Sequence, residues 1–134
     1  MNNWMKKYNS VLLIDDNDID NFVAKKIIEK SGFAEKVIAV QSARSALDYL
    51  NSEESLKDIV PDIIFLDIGM PEMDGFEFLE EYEKLNKIIV NHCKVVILSS
   101  SLDIDDYNRA SRNKLVKKFI NKPLSKKSLL EIEF

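Results

Sequence analysis

The sequence has little of what marks secreted or membrane proteins. It contains one cysteine, Cys93, which excludes an internal disulfide and favours a reducing compartment. Its apolar runs are short, and the first of them, at residues 11–14, leads directly into acidic residues. Such a run is far too short for a signal peptide or a membrane span. We therefore expect a cytoplasmic protein with no membrane partner.

A surplus of positive charge is also missing. The formal net charge is −4, whereas a nucleic-acid-binding domain usually carries a basic surplus or a basic patch. Lysine and arginine become denser late in the chain, but there they alternate with residues of predicted strands and helices. That pattern is typical of a solvated face. We expect no nucleic-acid partner.

Glycine and proline are scarce, with three of each, and all of them fall at the edges of predicted elements. Short apolar runs bounded by turn residues predict five strands, at residues 11–14, 37–40, 62–66, 95–98 and 118–121. Helical spacing predicts five helices. The first begins at Asn17 or Asp18 and ends at Gly32, the second is capped by Ser42, the third opens at Gly75, and the others span residues 103–111 and 125–134.

This alternation of strands and helices predicts a single α/β domain over residues 1–134, in which residues 1–9 form an N-terminal extension. We expect a doubly wound parallel sheet with helices on both faces and the flavodoxin-like strand order 2-1-3-4-5. The apolar side chains expected on the buried faces of the first and third helices are Phe22, Val23, Ile27, Ile28, and Phe76, Phe78, Leu79, Tyr82, Leu85.

Polar residues follow four of the predicted strands directly. Asp15 and Asp16 end the first, Asp67 the third, Ser99 the fourth and Lys122 the fifth. Because the carboxyl ends of parallel strands meet at one edge of the sheet, these side chains should lie close together. Strands one and three are neighbours in the expected order, so the three aspartates should converge.

Three converging carboxylates repel one another, and the pKa of at least one of them should rise. A hard metal ion such as Mg²⁺ would relieve this repulsion, and so would the ammonium group of Lys122. An oxygen-ligand metal site with one carboxylate left free to act suits a phosphoryl group. In such a site a carboxylate attacks phosphorus, and lysine and serine contact the remaining oxygens.

Four motifs in this order resemble the receiver domain of two-component response regulators. They are the Asp15-Asp16 pair, Asp67 followed by Met70-Pro71 and Asp74-Gly75, Ser99 after an apolar strand, and Lys122-Pro123. Each motif alone is common, but all four in order at the ends of α/β strands are highly specific. The resemblance covers nearly the whole chain.

The resemblance implies a division of roles among the acidic residues. Asp67 would be the phosphoacceptor and would become an aspartyl phosphate. Asp16 and Asp67 would bind Mg²⁺ directly, with the backbone carbonyl of Gly69 as a third protein ligand. Asp15 would assist the ion through a water molecule or a hydrogen bond.

The resemblance also implies a switch. Lys122 would pair with Asp67 and then with the phosphoryl group, and Ser99 would swing to hydrogen-bond a phosphoryl oxygen. Ser100 remains an alternative to Ser99 as the switch hydroxyl. Phe119 would turn inward as Ser99 vacates space. The peptide bond before Pro123 would be cis.

A histidine kinase or a histidine phosphotransfer protein would be the phosphodonor, and the downstream target would be a protein that the sequence does not identify. We expect a stand-alone receiver without an output domain, which acts by docking and is not a turnover enzyme. The exposed apolar residues expected near the end, Leu130 and Phe134, suggest a phosphorylation-linked homodimer as a hypothesis.

Three alternatives stay beside this interpretation. The first is a receiver-like interaction module that works without phosphorylation. The second is a phosphatase of the haloacid-dehalogenase type, which would need a second carboxylate where the sequence has Gly69. The third is a flavodoxin-like phosphate binder, whose phosphate loop would follow the first strand. That loop is acidic here and would repel phosphate in the absence of a metal.

Overall fold

A computed structural model describes residues 8–52 and 60–134. It contains one sheet of five parallel strands in the order β2-β1-β3-β4-β5. The strands are β1 Tyr8–Ile14, β2 Ala34–Val40, β3 Ile63–Leu66, β4 Lys94–Ser99 and β5 Val116–Asn121. The predicted fold class and strand order are confirmed.

Helices cover both faces of this sheet. Those within the described residues are α1 Asp18–Ser31, α2 Ala43–Leu50, α3 Gly75–Tyr82, α4 Lys87–His92, α5 Ile104–Arg112 and α6 Lys126–Leu130. None of these helices is long and apolar enough to cross a membrane. Side chains that accept a hydrogen bond from the first turn begin each helix, among them Asn17 for α1 and Ser42 for α2. Gly32 ends α1 at φ 75°, the left-handed conformation that glycine adopts without steric cost.

The core consists of two apolar layers, one on each face of the sheet. In β1, Leu12 and Ile14 point to the layer beneath α2, α3 and α5, whereas Val11 and Leu13 point to the layer beneath α1 and α6. The same alternation continues in β3 and β4, so the central strands are buried on both faces. This double burial holds the polar strand ends in fixed positions at the carboxyl edge of the sheet.

Several boundaries differ from the sequence prediction. β1 begins at Tyr8, which pairs with Ala34 at the start of β2, so Tyr8 and Asn9 belong to the sheet and not to the N-terminal extension. The helix predicted for residues 125–134 ends at Leu130. Helix α4 was not predicted. It starts where the Asn86 side chain accepts a hydrogen bond from the backbone N–H of Ile88 at 2.8 Å, a capping signal that the sequence does contain.

The predicted buried face is correct for Ile28 and for the partly buried Ile27, but it is wrong for Phe22 and Val23 of α1. Its buried residues are Asn21, Ala24 and Ile28, whereas Phe22 is 61% exposed and Val23 is 40% exposed. The Asn21 side-chain amide donates to the carbonyl oxygens of Asp15 at 2.9 Å and Val40 at 3.3 Å. These two hydrogen bonds point Asn21 inward and so set the rotation of the helix about its axis.

The difference in burial between Phe22 of α1 and Phe78 of α3 generates a stability prediction. Phe78 is 0% exposed in the α3 layer, so Phe78→Ala should lower the free energy of unfolding by about 3–5 kcal/mol. Phe22→Ala is the matched control on α1, and its effect should stay within roughly 0.5 kcal/mol. Urea denaturation followed by circular dichroism measures both. Equal losses in the two variants would contradict the assigned rotation of α1.

Candidate functional site

Three aspartates converge at the carboxyl edge of the sheet, as predicted. Asp15 and Asp67 follow the neighbouring strands β1 and β3, and the backbone N–H of Asp67 donates to the carbonyl of Ile14 at 2.9 Å. Asp15 is 5% exposed and Asp67 is 7% exposed, while Asp16 faces solvent. One carboxylate oxygen from each of the three lies within 4.8 Å of the others. The sheet therefore builds a compact, acidic, mostly buried cluster.

Lys122 is the cation that compensates this cluster, but its main partners differ from the prediction. Its ammonium nitrogen lies 2.6 Å from Asp15 Oδ2 and 2.9 Å from Asp20 Oδ2, and 3.8 Å from Asp67 Oδ2. The expected pairing with Asp67 is thus the longest of the three contacts. Burial lowers the pKa of Lys122, but hydrogen bonds to Asp15 and Asp20 and the charge of Asp67 outweigh it, so the net shift is upward.

The pKa of Asp67 is raised above its ordinary value. Burial is the main cause, and the negative charges of Asp15 and Asp16 add to it. The charge of Lys122 and a 3.3 Å hydrogen bond from the backbone N–H of Gly69 act in the opposite direction. A nearby positive charge would therefore stabilise the ionised form of Asp67 against this burial and repulsion.

The loop after β3 is held tightly behind Asp67. The Gly75 N–H donates to the carbonyl of Ile68 at 3.2 Å, and a Cβ at Gly75 would lie 2.7 Å from Ile68 Cα and 2.9 Å from the carbonyl oxygen of Asp67. Only glycine fits at position 75, because any side chain would clash with the backbone of Asp67 and Ile68. Asp74 and Glu77 form a capping box that starts α3 at the same point. Gly69, by contrast, faces open space, with nothing within 4 Å of its added Cβ.

The three serines at the end of β4 differ in burial and in hydrogen bonding. Ser99 is 2% exposed, and its hydroxyl oxygen accepts a 3.0 Å hydrogen bond from the Ser101 N–H. Ser100 is exposed. The Ser101 hydroxyl donates to Asp106 of α5 at 2.7 Å. Ser99 and Ser101 line a cleft of about 240 Å³ that reaches Asp67, with Arg109 of α5 on its wall.

Strand β5 and the two residues that follow it carry the remaining predicted features of the site. The backbone N–H of Lys122 donates to the carbonyl of Ser99 at 2.9 Å, and the Lys122–Pro123 peptide bond is cis, the geometry that the resemblance implied. Phe119 is partly buried, and its ring packs edge-on against Tyr107 of α5 at 5.4 Å between centroids. In this conformation Phe119 is neither fully inside nor fully outside the core.

Comparison with known proteins identifies the family of this chain. A family model described as the response regulator receiver domain matches residues 11–132. The chain belongs to this family.

The receiver is similar in sequence and structure to several response regulators. It is 33% identical to the two-component response regulator ORR1 of Oryza sativa over 121 residues, 89% of this chain and 51% of that protein. The chain thus spans about half of that relative. A two-component response regulator from Cytophaga hutchinsonii superposes with a TM-score of 0.84 at 35% identity over 92% of both chains. The phosphorylated cyanobacterial phytochrome response regulator RcpA gives a TM-score of 0.72 at 27% identity, over 92% of this chain and 87% of that one.

Two residues of this receiver's site escaped sequence reasoning. Asp20 contacts Lys122, and Asn21 holds the backbone of Asp15. Both residues lie in the first turns of α1. The one sign of their role in the sequence is that they are polar at positions where a buried helix face normally carries apolar side chains. The helix dipole alone accounts for an acidic residue in the first turn of a helix, so the sequence gives no sign that Asp20 contacts Lys122 after β5.

The close approach at Gly75 generates a second prediction. Gly75→Ala in this receiver should force the Asp67–Ile68 backbone to move, because a Cβ cannot sit 2.7 Å from Ile68 Cα. We expect a loss of about 1–3 kcal/mol in the free energy of unfolding, the usual range for overpacking. We also expect large NMR shifts of the Asp67 amide. Gly69→Ala is the control, since open space surrounds it, and equal effects in the two variants would count against the close approach.

The raised pKa of Asp67 generates a third prediction. A carboxyl whose pKa is higher in the folded state stabilises the fold at a pH below its ordinary pKa of 3.8, and this contribution is lost as the pH rises through the folded-state pKa. At pH 7 without divalent cations, Asp67→Asn should therefore melt higher than the wild type. An effect of about 1 kcal/mol corresponds to roughly 3–5 °C for a domain of this size.

Calorimetric melting between pH 3.5 and pH 8 checks the sign of this effect. The difference between the wild type and Asp67→Asn should shrink as the pH falls, because both side chains are then neutral. Added Mg²⁺ should raise the melting temperature of the wild type more than that of the variant. A variant that melts below the wild type at pH 7 without Mg²⁺ would contradict the assigned direction.

Proposed function

We propose that this chain is a phosphoacceptor module of a two-component phosphorelay, in which Asp67 takes up one phosphoryl group and the fold converts that event into a change of docking surface. The observation that carries the proposal is the arrangement at Asp67. A nearly buried carboxylate lies within 4.8 Å of two others, and the Lys122 ammonium lies 3.8 Å away. A cleft with serine hydroxyls opens beside it.

The donor set fits Mg²⁺. Asp15, Asp16 and Asp67 offer hard oxygen ligands, and the Gly69 carbonyl is the further ligand that we expect from the family pattern. Exposed Asp16 leaves one side of the cluster open to water, which Mg²⁺ retains in most protein sites. When bound, the ion would supply positive charge to offset the negative charge of the phosphoryl oxygens.

The nucleophile in phosphoryl uptake is the chain's own carboxylate, that of Asp67. An Asp67 oxygen forms a bond to phosphorus, and the bond from phosphorus to the donor nitrogen of a phosphohistidine breaks. The donor imidazole keeps that electron pair and takes a proton. Lys122 remains beside the new group and balances its charge. The N–H of Gly69, which now donates to Asp67 Oδ1, holds the carboxylate in orientation.

The switch is proposed to pass through α5. Of the residues in this helix only Ala110 is buried, so α5 is weakly anchored and should shift at low cost. Ser99 and Ser101 connect the cleft to α5 through the hydrogen bond of Ser101 with Asp106. A phosphoryl oxygen that recruits the Ser99 hydroxyl would compete with this arrangement and change the contact of Phe119 with Tyr107.

Receiver domains are phosphorylated by histidine kinases or histidine phosphotransfer proteins, and we propose such a protein as the donor. The module takes one phosphoryl group per chain and is not a turnover enzyme. Its target would be a protein that docks on α5, β5 and α6, where exposed apolar side chains remain. These include Leu102, Ile104, Tyr107, Leu130 and Phe134. A homodimer through Leu130 and Phe134 belongs to the same proposal.

Intact-protein mass spectrometry tests the phosphoacceptor role. After incubation with acetyl phosphate and Mg²⁺, the wild type should gain the mass of one phosphoryl group, and hydroxylamine should remove it, as expected for an acyl phosphate. Asp67→Asn should gain nothing, and neither should the wild type with a chelator. Asp48→Asn on the exposed face of α2 is the matched control and should behave as the wild type.

A hydroxylamine-resistant adduct would point to the serines at residues 99–101 and would refute Asp67 as the acceptor. A wild type that gains no adduct, and that also fails to bind beryllium fluoride, would favour the phosphorylation-independent interaction module.

A further inference from the structure

Asp20 is the contact of Lys122 that the phosphoacceptor chemistry does not need. It lies in the first turn of α1, where its backbone N–H donates to the Asn17 side chain at 3.0 Å. Its carboxylate is 2.9 Å from Lys122 Nζ, although the two residues are separated by 102 positions in the sequence. The Lys122 side chain is 12% exposed and that of Asp20 is 42% exposed. The contact is therefore built by the fold and lies partly sheltered from solvent.

Of the three carboxylates around Lys122, that of Asp67 lies farthest from the ammonium group. An ammonium group has three N–H donors. Asp15 at 2.6 Å and Asp20 at 2.9 Å are at hydrogen-bond distance, whereas Asp67 at 3.8 Å is beyond it. Asp20 thus draws the ammonium toward α1 and away from the carboxylate that would carry the phosphoryl group.

We propose that Asp20 is a positioning residue that competes with the phosphoryl group for Lys122, and that it thereby weakens the phosphorylated state of this receiver. The inference rests on the proposed function. A phosphoryl group on Asp67 is stabilised by the positive charge and the N–H donors of Lys122. Asp20 neutralises part of that charge and occupies one of those donors. The negative charge of Asp20 also opposes an incoming anion. Both effects have the same sign.

The chain offers a matched control for this charge. Asp18 is also an acidic residue in the first turn of α1, and it is exposed. Asp18 and Asp20 interact alike with the helix dipole, so replacing either one removes the same favourable interaction with the helix N-terminus. Of these two residues, Asp20 is the one that contacts Lys122. A difference between the two asparagine variants therefore reports on the ion pair.

The test measures the affinity for beryllium fluoride, which mimics a phosphoryl group on a carboxylate, by isothermal calorimetry with saturating Mg²⁺. Asp20→Asn should bind it about two- to fivefold more tightly than the wild type, the range that a half-exposed ion pair supports. Asp20→Glu retains a carboxylate and should restore an affinity close to that of the wild type. Asp18→Asn should leave the affinity unchanged. High salt should reduce the gain of Asp20→Asn, because salt screens the exposed side of the pair.

A spectroscopic measurement follows the contact itself. The ¹⁵N resonance of the Lys122 ammonium, observed in the unliganded protein, should shift in Asp20→Asn and stay in place in Asp18→Asn. Circular dichroism verifies folding, and Asp20→Ser serves as a second variant if Asp20→Asn folds poorly.

Two results would overturn the proposal: an Asp20→Asn affinity equal to that of the wild type, or an equal gain in Asp18→Asn. They leave the proposed function intact as long as the wild type binds beryllium fluoride. A wild type that binds none would overturn the proposed function and this inference together.

Discussion

The site depends on one ammonium group held among carboxylates. Lys122 reaches Asp15, Asp20 and Asp67 at 2.6, 2.9 and 3.8 Å from the end of the fifth strand. Without Lys122, the mostly buried charges of Asp15 and Asp67 would face each other uncompensated, so the loss of this ammonium group should be strongly destabilising. The parallel sheet makes this arrangement available, because it brings the ends of β1, β3 and β5 to the same edge.

Hydrogen bonds link Lys122 to α5, the helix through which we propose that phosphorylation of Asp67 acts. Lys122 is tied through its backbone N–H to the carbonyl of Ser99, and the Ser99 hydroxyl accepts from Ser101, which in turn bonds Asp106. Under the proposed function, a phosphoryl group on Asp67 that draws Lys122 toward it would act on residues that these hydrogen bonds link to α5. Because α5 buries only Ala110, its position costs little to change compared with α3, whose buried face includes Phe78 and Tyr82.

Much of this architecture is predictable from the sequence, since apolar strands that run directly into Asp15, Asp67, Ser99 and Lys122 identify both the parallel sheet and the edge at which these polar side chains meet. The errors have specific physical causes. The rotation of α1 follows from two side-chain hydrogen bonds of Asn21, which no apolar period reveals. Lys122 lies nearer to Asp15 and Asp20, at 2.6 and 2.9 Å, than to Asp67 at 3.8 Å, and such small differences in distance are set by side-chain packing and not by strand order.

The most direct test of the account is a crystal structure of the receiver with Mg²⁺ and beryllium fluoride. We predict that beryllium is bonded to an Asp67 carboxylate oxygen, that the cation lies between Asp15, Asp16 and Asp67, and that Lys122 Nζ lies within hydrogen-bond distance of a fluoride. A cation bound elsewhere, or an adduct-free Asp67 with Lys122 still paired to Asp15 and Asp20, would contradict it.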